Sequence, residues 1–321
     1  MEGHARDTSS AAKPAPHFSP IVVNRSARRA GSRLKVVLLN AAGGRRFRQL
    51  AACLKRPPLS GADVILLCEI NAKPQAKDSV GAEIALGLAE ALEMSCAYIP
   101  EFGLKPAGGE IRSYIGNAIL TAAPFDEVTA VALHRPRTPM AWPMRQRRWE
   151  RLGVPTGLVT RVKFGGKEVT VGVAHLHSRC PPAERARQMA TYLEFFPAAG
   201  RAIFGGDLNT TTTELSSRSM ILATARKIIV DPQRFHAPQP YEPLFERLRE
   251  SRLETEGANV PNRPTFTFSG LIPRRMRPKL DWLAVRELRP IRGTAAVVSP
   301  RSSVLLRRLS DHDFITVDLE L

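Results

Sequence analysis

From Leu34 onward the chain alternates short apolar runs with segments of helical period. LKVVLLN is a continuous apolar run that stops at Asn40 on the turn AAGG, the mark of a strand buried on both faces. RRFRQLAACLKR follows with Phe47, Leu50, Ala51 and Leu54 at helical spacing, and PPLSGAD breaks it. ADVILLCEINAKP is a second buried strand, with Glu69 and Asn71 standing where its apolar run gives out. GAEIALGLAEALEM predicts a helix with Ile84, Leu88 and Leu92 on one stripe. CAYIPEF, GNAILTAAPF, LVTRVKF and VTVGVAHLH predict strands, and Gly165 with Gly166 predicts a hairpin turn between the last two. SRCPPAERARQMATYLEFF predicts a helix opening near two prolines, and RAIFGGDLNT a strand ending in Gly205, Gly206, Asp207 and Asn209. Thr210 to Thr213 predict a solvated loop. A polar, helical stretch covers 214–258, and TFTFSG, KLDWLAV, AAVVS and DFITVDLEL supply the last strands.

Strand and helix segments are mixed, and β-hairpins sit among them. The expected fold class is α/β (α+β), with two packed, mostly antiparallel β-sheets and helices outside. The expected organisation is a mobile basic arm over residues 1–33 and one domain over 34–321. With 321 residues, 43% of them hydrophobic, the chain can bury a large core. It has no apolar run of about 18 residues, which excludes a membrane-spanning helix, and residues 1–33 lack a secretory apolar region. Cys53, Cys68, Cys96 and Cys180 form no C-x-x-C pair, which argues against a structural zinc site and for a reduced, cytoplasmic setting. Cys68, inside an apolar run, is expected to be a buried small hydrophobe.

The candidate chemistry lies where the apolar runs end. Asn40 ends the first and Glu69 the second; His175 and His177 end VTVGVAHLH; Asp207 and Asn209 end AIFGGDLN. Asp281 interrupts KLDWLAV, and Ser310, Asp311 and His312 precede the last strand. Gathered at one sheet edge, these would form a cleft of oxygen ligands and imidazoles. Oxygen ligands select Mg²⁺, Mn²⁺ or Ca²⁺ over zinc, with Mg²⁺ or Mn²⁺ the expected cofactor, and Glu69 with Asp311 or Asp207 could supply the carboxylates. Asp281 paired with His312 would make an oriented general base.

The motifs LKVVLLNAAGG, ADVILLCEI, YIGNAILTAAPF, VAHLHSR, GGDLNT, KLDWLAV and LSDHDF resemble, in order, those of the endonuclease/exonuclease/phosphatase superfamily, of which deoxyribonuclease I-like nucleases are members. The resemblance covers about residues 34–321. It implies a four-layer sandwich and metal-dependent cleavage of a phosphoester. It further implies that Glu69 binds the metal with Asn40 and Asp311 close by, that His312 takes the proton of the attacking water, and that Asp281 orients His312. Asp207 would position or activate the nucleophile, while Asn209 and His175 would hold phosphate oxygens. Tyr114 matches a phosphate-contacting tyrosine of one branch. His177 falls off the motif and is expected to be structural or solvent-facing. Cys68, Leu208 and Trp282 depart from the common Gln, aromatic and Tyr.

Charge narrows the substrate. A net charge of +17 and a pI near 10.5 favour polyanions: nucleic acid, an anionic membrane surface or phosphorylated substrates. HRPRTPMAWPMRQRRWER interleaves six arginines with Trp142 and Trp149, a composition suited to phosphate clamping and base stacking or to a lipid surface. Arg148 from this stretch and Arg275 from IPRRMRPKL are the expected substrate-side arginines. The expected activity is a divalent-metal-dependent phosphoesterase acting on a phosphodiester, with nucleic acid favoured. A phosphomonoesterase, a lipid phosphodiesterase or a non-catalytic polyanion-binding protein are the alternatives.

Overall fold

A computed structural model describes residues 17–25, 31–75, 80–135, 149–213, 223, 226–227, 230–267, 277–301 and 308–321. Fifteen strands among them build two mixed sheets. The larger sheet contains β1 (Ile21–Val23), β2 (Arg33–Gly43), β3 (Val64–Pro74), β4 (Val80–Gly81), β5 (Ser95–Pro106) and β6 (Ser113–Thr121). The smaller begins with β7 (Phe125–Ala132); β8 (Trp149–Gly153) returns to the larger; and β9 (Thr156–Phe164), β10 (Lys167–His175), β11 (Ala202–Asp207) and β12 (Asp281–Arg286) complete the smaller. Finally β13 (Arg289–Pro290), β14 (Ala296–Val298) and β15 (Phe314–Glu320) join the larger sheet.

The strand orders are β1-β5-β6-β3-β2-β15-β13 and β12-β11-β10-β9-β7. In the larger sheet β14 lies beside β15, β4 beside β3 and β8 beside β5. Among the described residues only β2 with β3 and β10 with β11 run parallel. The mostly antiparallel expectation therefore holds. The parallel pairs sit in the interiors of their sheets, where βαβ-like crossovers can cover them.

The unalternating runs have a simple cause. In β2 and β3, Val36, Leu38, Leu66 and Cys68 face the core between the sheets, where Leu158, Val171, Val173 and Ile203 meet them. Their neighbours Val37, Leu39, Ile65 and Leu67 face the other way, toward α1 (Phe47–Leu54) and α2 (Glu83–Leu92). Both parities are buried, so both must be apolar. A third core packs α3 (Pro182–Leu193) and the helix Leu244–Glu250 on the far face of the smaller sheet, around Tyr192, Phe204, Phe245 and Trp282. Helix, sheet, sheet and helix make four layers. No helix among the described residues is long and apolar enough to cross a membrane.

Some expectations change. Ile21–Val23 of the presumed arm is a strand on the edge of β5, and Phe18 packs its ring edge-on against Tyr114. FDEVTAVA, which carries no clear apolar run, forms β7. The stripe of α2 falls on Ala85, Leu88 and Ala89 rather than on Ile84 and Leu92. Thr265–Thr267 makes only a bridge from Phe266 to His312, and no strand. Thr210 to Thr213 are all buried, not solvated. The indole of Trp282 donates to the Thr210 hydroxyl at 3.0 Å, and Glu242 accepts from the Thr212 amide at 2.7 Å.

Candidate active site

Strand register builds the site. The parallel pairing of β10 with β11 sets His175 opposite Asp207, and the antiparallel pairing of β11 with β12 sets Asp207 opposite Asp281. Three adjacent strands thus end in a row of His175, Asp207 and Asp281. Close backbone approach is needed here: a Cβ on Gly206 would lie 1.8 Å from the Ala174 carbonyl oxygen. In the other sheet β2 and β3 pair Asn40 with Cys68, which puts Glu69 one residue beyond. β15 lies antiparallel to β2, so the residues before Phe314 pass Asn40. The Ser310 hydroxyl donates to the Asn40 carbonyl at 2.6 Å and accepts the His312 amide at 3.0 Å.

Side chains then converge across the two sheets. Nδ1 of His312 lies 2.8 Å from Asp281 Oδ2, and its Nε2 lies 3.7 Å from Asp207 Oδ2. Nε2 of His175 lies 3.7 Å from the same Asp207 oxygen and 3.6 Å from Glu69 Oε1. Asn40 donates its side-chain amide to Asp207 Oδ2 at 2.8 Å. Asp207 Oδ1 accepts the Asn209 amide at 3.0 Å, an Asx turn, while the Asn209 side chain donates to the Leu176 carbonyl at 2.7 Å. Asp207, Asp281 and His312 are nearly inaccessible, whereas Glu69 and Asp311 reach the surface. Glu69 and Asn209 both adopt positive φ, 53° and 49°, a conformation that costs a non-glycine residue energy and concentrates at functional sites.

The charges are interdependent. Burial alone would lower the His312 imidazole, but the carboxylates of Asp281 and Asp207 outweigh it and raise the group to about 9. His175 is likewise lowered by burial and raised further by Glu101, Asp207 and Glu69, to about 10. Burial pushes the Asp207 carboxyl up, against the pull of His312. His177 moves the other way: burial, then Arg151 and His175, lower it to about 4.

The donors suit a small hard cation. Glu69, Asp207 and Asp311 offer carboxylates, Asn40 an amide oxygen, and hard oxygen sets favour Mg²⁺ or Mn²⁺. Asp207, Asp281 and His312 each bring one ligand atom within 4.8 Å of the others, while Glu69 and Asp311 stand outside that group. Oδ1 of Asp281 is buried without a hydrogen-bond partner among the described residues.

One residue of the site lies outside every motif of the sequence. Glu101, 1% exposed, holds Oε2 3.4 Å from Nδ1 of His175, an ionic contact rather than a well-formed hydrogen bond. It sits at a register shift in β5, between Pro100 and Phe102, and a bulge re-aims its side chain. A bulge is invisible to alternation, although a carboxylate inside an apolar strand was the available hint. Tyr114 is a correction. It lies three positions from the inward-facing Asn117, on the opposite face, and packs 1% exposed in the core beneath α1 and α2. Arg148 and Arg275 lie outside the described residues.

Comparison with known proteins gives a consistent picture. The chain superimposes on the endonuclease/exonuclease/phosphatase from Beutenbergia cavernae DSM 12333 with a TM-score of 0.57 at 20% identity, over 92% of this chain and 72% of that one. An endonuclease/exonuclease/phosphatase family protein from Leptotrichia buccalis C-1013-b gives 0.53 at 15%, over 90% and 100%. D. rerio TDP2 complexed with single strand DNA product gives 0.50 at 16%, over 91% and 100%. No curated protein matches the chain in sequence. The sequence model of the Endonuclease/Exonuclease/phosphatase family matches residues 37–312, a span that runs from the strand bearing Asn40 to His312 itself. With the four-layer fold and that match together, the chain belongs to the endonuclease/exonuclease/phosphatase family.

Proposed function

We propose that the protein is a divalent-metal-dependent phosphodiesterase, with nucleic acid as its favoured substrate. The observation that carries this reading is the convergence of His312, backed by Asp281 at 2.8 Å, on Asp207 at 3.7 Å. Asp281 occupies Nδ1 and leaves Nε2 as the atom that takes the proton of an attacking water. Asp207, hydrogen-bonded by Asn40 and by the Asn209 backbone, fixes that water in line with the phosphorus. His175 and Asn209 hold the non-bridging oxygens, where negative charge gathers in the transition state. Glu69, Asn40 and Asp311 would hold the metal. Bound there, a divalent cation would stabilise charge on the phosphoryl and leaving oxygens and offset the carboxylates that keep His312 protonated.

The net charge of +17 supports a polyanionic substrate, and a fold neighbour crystallised with a DNA product is in keeping with it. The proposal includes one catalytic domain over 34–321 and a reduced, cytoplasmic setting, for which the four free cysteines speak.

The test is a substrate panel: plasmid, single-stranded oligonucleotide, sphingomyelin and inositol phosphates, each with Mg²⁺, with Mn²⁺ and with EDTA. Metal-dependent cleavage of a nucleic acid is expected, lost by about 10²-fold or more in folded His312→Ala. Full activity in that variant sinks the mechanism. Cleavage of the lipid or the inositol phosphate alone sinks the substrate assignment. Salt-sensitive nucleic-acid binding without any turnover would make the protein a polyanion binder.

A further inference from the structure

Helix α3 buries two long polar side chains completely, Arg185 and Gln188, three positions apart on one face. Both reach the segment that follows His175. Gln188 accepts the His177 amide at 3.0 Å and donates to the His134 carbonyl at 2.8 Å, while Arg185 donates to the Cys180 carbonyl at 2.6 Å. The same guanidinium meets Glu242, just ahead of the helix Leu244–Glu250, through contacts of 2.6 Å and 3.1 Å. From there the contacts pass to the segment that follows Asp207. Glu242 accepts the Thr212 amide at 2.7 Å, and Arg185 donates to the Thr213 carbonyl at 3.4 Å.

The near ends of the two segments are joined as well, by the Asn209 side chain on the Leu176 carbonyl at 2.7 Å. Segments 176–180 and 207–213 thus belong to one closed ring of hydrogen bonds, in which Arg185 and Glu242 form the far link. Within the second segment Asn209 and Thr212 take positive φ, 49° and 58°. Such a conformation persists only where the surroundings over-determine it. A buried ion pair is a weak way to stabilise a fold, since an apolar pair of similar volume often does as well or better. What an apolar pair lacks is direction: it makes no bond to the Cys180 carbonyl or to the Thr212 amide.

We propose that Arg185 and Glu242 are positioning residues, locking the segments after His175 and after Asp207 to one another so that His175 and Asn209 meet the phosphoryl oxygens together. Both side chains are wholly buried, so they act through those segments and not on the substrate. The inference rests on the phosphoesterase reading above and adds the device that aligns its oxygen-holding groups. Misplacing a group by about 1 Å can lower a rate about 10²-fold, so the effect belongs in kcat.

The experiment compares the wild type, Glu242→Leu and the double variant Arg185→Met, Glu242→Leu. It measures kcat and KM for a single-stranded oligonucleotide with Mg²⁺, or for whichever other member of the panel the wild type cleaves, and melting temperatures follow the fold. The double variant should regain most of the melting temperature lost in Glu242→Leu. Its kcat should nevertheless stay about 10²-fold below the wild type. Recovery of kcat together with the melting temperature, or a loss confined to KM, overturns the proposal and leaves the phosphoesterase reading intact. If the double variant stays unstable, Arg185→Lys takes its place: it keeps a charge opposite Glu242, but one ammonium does not span Glu242 and both carbonyls. Its kcat should fall about tenfold or more, and a wild-type kcat ends the proposal. If the wild type cleaves nothing in the panel, the phosphoesterase reading fails by itself. Amide hydrogen exchange then decides the positioning. In the folded variant, exchange should quicken about tenfold or more in 176–180 and 207–213 together, while β9 and β10 keep their wild-type rates. Unchanged protection in either segment ends the proposal.

Discussion

The side-chain amide of Asn40 donates to the carboxylate of Asp207 at 2.8 Å, joining β2 of the larger sheet to β11 of the smaller at the floor of the site. Asn40 also accepts the Ala42 amide on its oxygen at 3.0 Å, so its orientation is fixed from both ends. Replacing Asn40 by Asp would set two carboxylates against each other and drive the proton affinity of Asp207 upward. The acid limb of the rate profile should move to higher pH by about one unit, a shift typical of a neighbouring charge. A profile superimposable on that of the wild type would contradict the contact.

The metal-free protein should lose stability as pH rises. His312 and His175 have folded values of about 9 and about 10, above the unfolded value of about 6.5. Their stabilising contribution is complete below pH about 6.5 and is lost as pH climbs through the folded values. Asp207, also raised, acts in the same direction at lower pH. Urea midpoints in EDTA should decline steadily from pH about 6.5 to about 10. A flat or rising series would show that the imidazoles do not face these carboxylates.

Arg185 and Glu242 form a fully buried pair with two contacts, at 2.6 Å and 3.1 Å. The pair also anchors the loop after Asp207, because Glu242 accepts the Thr212 amide and Arg185 donates to the Thr213 carbonyl. Glu242→Leu leaves a buried guanidinium unmatched and should cost about 3–5 kcal/mol of stability. Adding Arg185→Met should restore much of that loss. Chemical denaturation of the three variants measures it; a single-variant cost below about 1 kcal/mol, as for a surface pair, would disprove the burial.

Gly206→Ala tests the backbone approach that sets Asp207 beside His175. A methyl group 1.8 Å from the Ala174 oxygen forces β10 and β11 apart. Soluble yield and melting temperature should both drop sharply, whereas Gly31→Ala, with no atom within 4 Å of its added carbon and no positive φ, should fold. Equal behaviour of the two variants would refute the close contact.

Much of this was legible in the sequence because the site residues punctuate apolar runs. Asn40, Glu69, His175 and Asp207 each stand where an apolar run stops and Asp281 where one begins, and register then brings His175, Asp207 and Asp281 side by side. What escaped depends on tertiary detail. The burial of Thr210 to Thr213 comes from Glu242 and Trp282, tens of residues away, and local polarity carries no trace of it. Glu101 is aimed by a bulge, and Tyr114 is turned from the cleft by strand parity, neither of which a motif records. His177, expected to be structural or solvent-facing, is half-buried and lines a cavity beside His175.

The bond from Ser310 to the Asn40 carbonyl spans 270 positions of sequence. Contacts so remote form late in folding, since the entropy of closing the intervening loop must first be overcome. A nascent chain emerging from the ribosome therefore carries Asn40 and Glu69 long before His312 exists. Any translation product truncated ahead of that histidine lacks the imidazole that Asp281 and Asp207 face, so the candidate site cannot assemble before the residues that precede β15 are made.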